Sequence, residues 1–154
     1  MNVKPLVILL GDDDIDDCMF FSEALKDFFI STHLITVHDG EQVMEQLTKE
    51  KNILPDVLFM DINMPRKNGR ECLLEIKLSE KFKLLPVVMF STSYEQEVVN
   101  LLFDNGANYF IRKPVDFSQF RNLIQHAITL IVQGNFTRPL RENFILKVQS
   151  SLGV

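Results

Sequence analysis

Five short apolar runs, separated by segments of helical periodicity, are the feature that most constrains how this chain can fold. The runs occupy residues 6–10, 34–37, 57–60, 86–90 and 109–111. Short runs that are apolar at successive positions are typical of strands buried on both faces. Strands that alternate with helices predict an α/β domain with a parallel sheet, and right-handed crossovers place helices on both of its faces. We therefore expect a doubly wound, five-stranded parallel sheet in the order 2-1-3-4-5, with five helices.

The intervening segments predict helices over residues 15–29, 41–49, 69–79, 95–104 and 117–132. Gly134-Asn135 then marks a boundary between a domain of residues 1–133 and a C-terminal extension of residues 134–154. The extension carries apolar residues at helical spacing, namely Leu140, Phe144, Ile145, Val148 and Leu152. This spacing predicts a terminal helix, which either packs on its own domain or forms a dimer or partner contact. The extension is too short for an effector domain, so we expect output through protein binding.

Charge and composition disfavour several classes of function. The net charge is −5 and the chain has no cluster of Lys and Arg, so direct nucleic-acid binding is not expected. No apolar stretch approaches the roughly 20 residues that span a bilayer, and the N-terminus lacks the features of a signal peptide. Cys18 and Cys72 match no metal-ligand spacing, which fits reduced thiols in the cytoplasm.

Polar residues follow four of the predicted strands at the point where each strand ends. Asp12 and Asp13 follow the first strand, Asp61 the third, Ser91 the fourth and Lys113 the fifth. Because the carboxyl ends of parallel strands meet at one edge of the sheet, we expect these side chains to converge.

Three converging carboxylates repel one another, by about 1 kcal/mol per pair at ~4 Å in water and by more in a less polar site. A divalent cation among Asp12, Asp13 and Asp61 would relieve the repulsion, and Mg²⁺, or Mn²⁺, suits hard oxygen ligands. A carboxylate, a metal, a lysine and a hydroxyl together suit phosphoryl transfer. No glycine-rich phosphate loop is present, so the donor is expected to be another phosphorylated molecule. The neighbouring Asp14, Asp16 and Asp17 are interpreted as residues that favour a helix start.

With these residues in place, the sequence resembles the response-regulator receiver family of two-component signalling over roughly residues 5–132. The matching segments are residues 9–14, 56–65, 68–69, 86–93 and 106–114, which read LLGDDD, DVLFMDINMP, NG, PVVMFSTS and GANYFIRKP. The combination of Asp-x-x-Met-Pro and a later Lys-Pro, each after an apolar strand, is specific for this family.

The resemblance implies a role for each matching position. Asp61 would accept the phosphoryl group, Asp12 and Asp13 would bind the metal with Asp61, and the backbone carbonyl of Asn63 would be a further ligand. Ser91 and Lys113 would hold the phosphoryl group. Phe110 would be the aromatic switch residue that moves inward when Ser91 is drawn toward that group. The Lys113–Pro114 peptide bond would be cis.

The resemblance also implies partners. A sensor histidine kinase or histidine phosphotransfer protein would donate the phosphoryl group. A target, or a second copy in a homodimer, would bind the face of the fourth helix, fifth strand and fifth helix. Such a protein catalyses only its own phosphorylation and dephosphorylation and is not otherwise an enzyme. Three alternatives stay open: a relay that passes the group to a histidine, an aspartyl-phosphate phosphohydrolase, and a binding module that works without phosphorylation.

Overall fold

The computed structural model describes residues 4–148, which form an α/β fold of six strands in one sheet and five α-helices. The elements in chain order are β1 Leu6–Gly11, α1 Ile15–Ala24, β2 Thr32–Val37, α2 Gly40–Thr48, β3 Val57–Asp61, α3 Gly69–Leu78, β4 Val87–Ser91, α4 Gln96–Asp104, β5 Tyr109–Arg112, α5 Phe117–Gln133 and β6 Ile145–Leu146. A short 3₁₀ turn covers Arg141–Asn143. The α/β class and the five predicted helices are therefore confirmed.

All neighbouring strands are parallel, in the order β2-β1-β3-β4-β5-β6. The predicted order of the first five strands is confirmed. The chain leaves β1 for β2 on one side and returns to β3 on the other, so the order reverses between β1 and β3. Ligands of such sheets bind outside the carboxyl ends of the strands at this reversal, which is where Asp12, Asp13 and Asp61 lie.

The buried strands separate two apolar cores. Every residue of β3 and β4 is buried, and successive side chains point to opposite faces. Phe59 and Phe90 pack with α1 and α5 on one face, whereas Met60 and Met89 pack with α2, α3 and α4 on the other. The two-sided burial explains why these strands read as continuous apolar runs.

Side-chain caps fix where the helices near the carboxyl edge begin. Asp14 accepts a hydrogen bond from the backbone N–H of Asp17 at 3.1 Å, which starts α1 directly after the acidic pair. Asn68 and Glu71 form a reciprocal capping box at the start of α3. Gly69 follows, and a Cβ there would lie 2.3 Å from the backbone oxygen of Asp61. Only glycine lets α3 begin so close to the strand end that carries Asp61.

The sheet has six strands, so the prediction of five is wrong. The terminal helix predicted from the spacing of Leu140 to Leu152 is also wrong over residues 140–148, the part that the structure describes. The tail forms β6, whose Ile145 pairs with Phe110 and whose Leu146 pairs with Ile111. Without β6, β5 would be an edge strand with unpaired backbone groups, and the backbone N–H of Phe110 donates to Phe144 O at 3.0 Å. Pairing to this edge outweighs the helical spacing of the apolar residues. Leu152 lies outside the described residues.

A smaller difference concerns the length of the first helix. The predicted first helix reached residue 29, but α1 ends at Ala24 and Asp27 takes a left-handed backbone conformation, with φ 60°. Phe28 and Ile30 still pack against the core from the following loop, which accounts for the longer apolar pattern. Over residues 4–148, no helix combines the length and apolar character needed to cross a membrane.

Candidate functional site

The predicted side chains converge at the carboxyl edge of the sheet. Asp61 is the last residue of β3 and Ser91 the last of β4, while Lys113 directly follows β5. The register places Asp61 beside Phe90 and Ser91 beside Arg112, so successive strands end at nearly the same level. The topology thus brings these residues together with Asp12, as expected from the sequence.

Lys113 is the centre of the site. Its Nζ donates to Asp61 Oδ2 at 2.5 Å, to Asp12 Oδ2 at 2.7 Å and to Asp17 Oδ2 at 2.8 Å. Its side chain is only 5% exposed and lies over the ring of Phe90, 5.7 Å from the centroid. One buried ammonium thus holds carboxylates from β1, α1 and β3 together.

Backbone N–H groups orient the two buried carboxylates. Asp61 Oδ1 accepts from the N–H of Asn63 at 2.9 Å, and Asp12 Oδ1 accepts from the N–H of Asp14 at 3.0 Å. Each carboxylate therefore bonds a backbone amide with one oxygen and Lys113 with the other. Charge-assisted bonds of this kind are short and directional, so they fix the position of each carboxylate.

Burial acts on the charged groups of the site in opposite directions. It raises the pKa of Asp12 to about 6, although the hydrogen bond from Lys113 lowers it. Burial alone would lower the pKa of Lys113, but the hydrogen bonds to Asp12, Asp17 and Asp61 outweigh it and raise the pKa above the ordinary lysine value. At neutral pH, Asp12 is therefore mostly a carboxylate and Lys113 is fully charged.

Three carboxylates are arranged so that they could hold a divalent cation. One oxygen each from Asp12, Asp13 and Asp61 lies within 4.8 Å of the other two. Asp12 and Asp61 are buried, whereas Asp13 is exposed and opens the group to solvent. Hard oxygen donors at this spacing fit Mg²⁺ or Mn²⁺. Asn63 is exposed on the loop after β3, and the role of its carbonyl as a ligand stays a prediction.

Ser91 and Phe110 line a cavity next to the carboxylates. The cavity has a volume of about 230 Å³ and lies between the loop after β3 and α4. Ser91 Oγ accepts from the backbone N–H of Ser93 at 3.1 Å. Phe110 is fully buried, with the ring of Tyr94 at 6.1 Å. The switch aromatic predicted at Phe110 is therefore already inward in this structure, and its movement stays a prediction.

Two expectations about the site need correction. The Lys113–Pro114 peptide bond is trans, the form that most X-Pro bonds prefer, and no peptide bond among the described residues is cis. Asp17, interpreted from the sequence as a helix-start residue only, is also the third partner of Lys113. This contact depends on the reach of the Lys113 side chain from the end of β5 to the first turn of α1, and no spacing along the sequence signals it.

The fold and site define a doubly wound α/β domain with an aspartate, a lysine and an acidic pair at the carboxyl ends of its strands. The model of the response regulator receiver domain family matches residues 8–125. The chain belongs to this family, whose members receive phosphoryl groups in two-component signalling.

Similar proteins agree with this assignment. The response regulator Rcp1 of Synechocystis is 32% identical over 125 residues, which covers 79% of this chain and 85% of the relative. The crystal structure of the phosphorylated cyanobacterial phytochrome response regulator RcpA superposes with a TM-score of 0.78 at 30% identity, covering 89% of this chain and 100% of that one. The Mn²⁺-bound form of Rcp1 has the same TM-score at 31% identity, covering 88% of this chain and 100% of that one.

Proposed function

We propose that this receiver domain accepts a phosphoryl group on Asp61 in a Mg²⁺-dependent reaction. The observation that carries the proposal is the position of Asp61, whose Oδ2 lies 2.5 Å from Lys113 Nζ and whose carboxylate is grouped with those of Asp12 and Asp13. A nucleophilic carboxylate, a charged lysine and a set of hard oxygen donors are the groups that phosphoryl transfer from a phosphohistidine requires.

In the reaction, a carboxylate oxygen of Asp61 attacks the phosphorus atom of the phosphohistidine. The bond between phosphorus and the imidazole nitrogen breaks, and the imidazole leaves with the electron pair and takes up a proton. Lys113 offers its ammonium to the oxygens of the transferred group, and Ser91 offers its hydroxyl. Asp12, Asp13 and Asp61, with the Asn63 carbonyl, would hold a divalent cation, and that ion would supply positive charge for the transfer of the phosphoryl group.

An exposed apolar surface beside the site suits a protein donor. Ile15 and Met19 of α1 are 59% and 61% exposed, and Val115, two residues after Lys113, is fully exposed. Phe20 and Phe117 complete the surface, with ring centroids 5.6 Å apart. Exposed apolar groups concentrated at one site are typical of protein docking. A sensor histidine kinase or a histidine phosphotransfer protein in the cytoplasm is the donor we propose, and a phytochrome-type kinase is a useful first candidate because RcpA is a phytochrome regulator.

The face of α4, β5 and α5 predicted for output carries β6, which pairs along the edge of β5. Output therefore follows from a change in protein binding at the surface of α4, β6 and α5, to which Phe110 connects the site through its pairing with Ile145. The bound partner is a downstream protein or a second copy of the chain in a homodimer. The domain catalyses only its own phosphorylation and dephosphorylation, and it binds neither nucleic acid nor membrane.

The test is labelling of Asp61 by a small phosphodonor. We expect the wild-type protein to incorporate phosphate from acetyl phosphate with Mg²⁺, and Asp61→Asn to incorporate none. Asp16→Asn is the matched control, because Asp16 is an exposed carboxylate in the first turn of α1. Labelling that persists in Asp61→Asn contradicts the phosphoacceptor assignment. Absence of labelling in the wild-type protein favours a binding module that works without phosphorylation.

The remaining alternatives differ in the fate of the phosphoryl group. A phosphohydrolase of the aspartate type needs an acid or base two residues after its nucleophile, and Asn63 at that position supplies neither. Multiple turnover of a phosphate ester would revive that class. A relay is distinguished by transfer of label from Asp61 to a histidine phosphotransfer protein.

A further inference from the structure

Asp17 is a charged partner of Lys113 that the proposed reaction does not use. It lies in the first turn of α1, its side chain is 23% exposed, and its Oδ2 accepts from Lys113 Nζ at 2.8 Å. An ammonium has three hydrogens, and the bonds to Asp12, Asp17 and Asp61 take all three. Lys113 is therefore saturated before any phosphoryl group arrives.

Asp17 also places negative charge close to the acceptor. Its Oδ2 and that of Asp61 bond the same nitrogen at 2.8 and 2.5 Å, so these two oxygens lie at most 5.3 Å apart, the sum of the two distances. Phosphorylation adds negative charge at Asp61. At this distance Asp17 repels the added charge and competes with it for Lys113.

Lys113 does not depend on Asp17 for its position. Its Nζ is also bonded by the buried Asp12 at 2.7 Å and lies over the ring of Phe90, 5.7 Å from the centroid. Its backbone N–H donates to Ser91 O at 2.8 Å, which fixes the start of the loop after β5. Loss of the Asp17 charge therefore weakens one of the three hydrogen bonds of Lys113 and leaves the ammonium in place.

We propose that Asp17 is a positioning residue that draws Lys113 toward α1 and thereby weakens its hold on a phosphoryl group at Asp61. This inference rests on the proposed function of Asp61. In this arrangement, Asp17 lowers the stability of the phosphorylated state and keeps the switch readily reversible.

The experiment compares two variants that each remove one negative charge from the first turn of α1. Asp17→Asn keeps the size of the side chain and its oxygen acceptor, whereas Asp16→Asn removes an exposed charge whose residue is outside the three bonds of Lys113. The probe is beryllofluoride, which mimics a phosphoryl group on a carboxylate, at saturating Mg²⁺. Its Kd is measured by calorimetry or ¹⁹F NMR, and thermal unfolding is recorded for each variant.

We expect Asp17→Asn to bind beryllofluoride about fourfold more tightly than the wild-type protein, the effect of one unit charge at about 5 Å in a water-like dielectric. We expect the Kd of Asp16→Asn to stay within about twofold of the wild-type value. A tighter Kd cannot result from damage to the fold, so it separates the proposed role from a merely structural one.

Equal Kd values for Asp17→Asn and Asp16→Asn overturn the inference, and so does weaker binding by Asp17→Asn. In both cases the wild-type protein still binds the probe, and the proposed function stands. If the wild-type protein binds no beryllofluoride while it is folded, the proposed function of Asp61 fails instead. The wild-type measurement thus distinguishes the two failures.

Discussion

The carboxyl edge of the sheet and the C-terminal tail of residues 137–148 are stabilised by different kinds of interaction. At the carboxyl edge, charged side chains from separate strands meet around one buried ammonium. In the tail, backbone pairing to β5, the buried ring of Phe144 and hydrogen bonds from Arg138 to backbone carbonyls provide the attachment. Charge complementarity holds the first region, and apolar packing with strand pairing holds the second.

The two regions should therefore differ in how well they tolerate substitution of their side chains. A cluster of buried charges depends above all on its one cation, because removal of Lys113 leaves the buried carboxylates uncompensated. A tail held by packing and backbone bonds loses only what the altered side chain contributed. Substitutions at the carboxyl edge should therefore affect both stability and phosphorylation, whereas substitutions in the tail should affect stability alone.

The largest effect is expected for Lys113→Met. This change leaves Asp12 and Asp61 buried without their common counter-charge, and the free energy of unfolding should fall by roughly 3–5 kcal/mol at pH 7 in a chelator. Urea denaturation measures it. Mg²⁺ should restore part of the loss because a divalent cation supplies positive charge to the same carboxylates.

The control is Lys147→Met, which removes an exposed lysine from the tail and should change stability by less than about 0.5 kcal/mol. If Lys113→Met is as stable as the wild-type protein, the carboxylates do not depend on Lys113, and the contrast between the two regions is lost.

A smaller effect, confined to stability, is expected for Phe144→Ala. Phe144 is 2% exposed and packs edge-on against Phe103 of α4, with centroids 5.2 Å apart. Loss of the ring should cost about 3 kcal/mol, because a cavity is left beside α4. The backbone bond from Phe110 to Phe144 O does not require the ring, so labelling of Asp61 by acetyl phosphate should be retained.

Val148→Ala is the control for this variant, since Val148 is 43% exposed and should contribute little. Loss of labelling in folded Phe144→Ala would mean that the tail supports the chemistry directly, which the separation of the two regions excludes.

The same contrast explains what could be predicted from the sequence. Asp12, Asp61, Ser91 and Lys113 each follow an apolar strand, and parallel topology alone brings strand ends together. The site could therefore be predicted from chain order. Asp17 was missed because its role depends on how far the side chain of Lys113 reaches, which no pattern along the chain states.

The tail was predicted wrongly because its apolar residues fit two structures. Leu140, Phe144 and Val148 recur every four residues, as in a helix, whereas Phe144 and Leu146 alternate, as in a strand. The choice depends on the unpaired edge of β5, a feature of the assembled sheet rather than of the tail sequence. Tertiary pairing overrides local periodicity in such a case.

The smallest expected effect distinguishes two arginines that bind the same end of α4. The guanidinium groups of Arg138 and Arg141 each lie 4.4 Å from the centroid of the Phe103 ring. Arg138 also donates to Phe103 O at 2.7 Å and to Ala107 O at 3.1 Å, whereas Arg141 forms an exposed ion pair with Asp104.

Because the two arginines share the stacking contact, the difference between Arg138→Ala and Arg141→Ala isolates the bonds to the carbonyls. We expect Arg138→Ala to lower the free energy of unfolding by about 1–2 kcal/mol, since carbonyls at the end of α4 lose a charged donor. Arg141→Ala should cost less than about 1 kcal/mol, as is usual for an exposed ion pair. Urea denaturation of both variants measures the difference. Equal losses would show that stacking on Phe103, rather than hydrogen bonding to α4, holds the start of the tail.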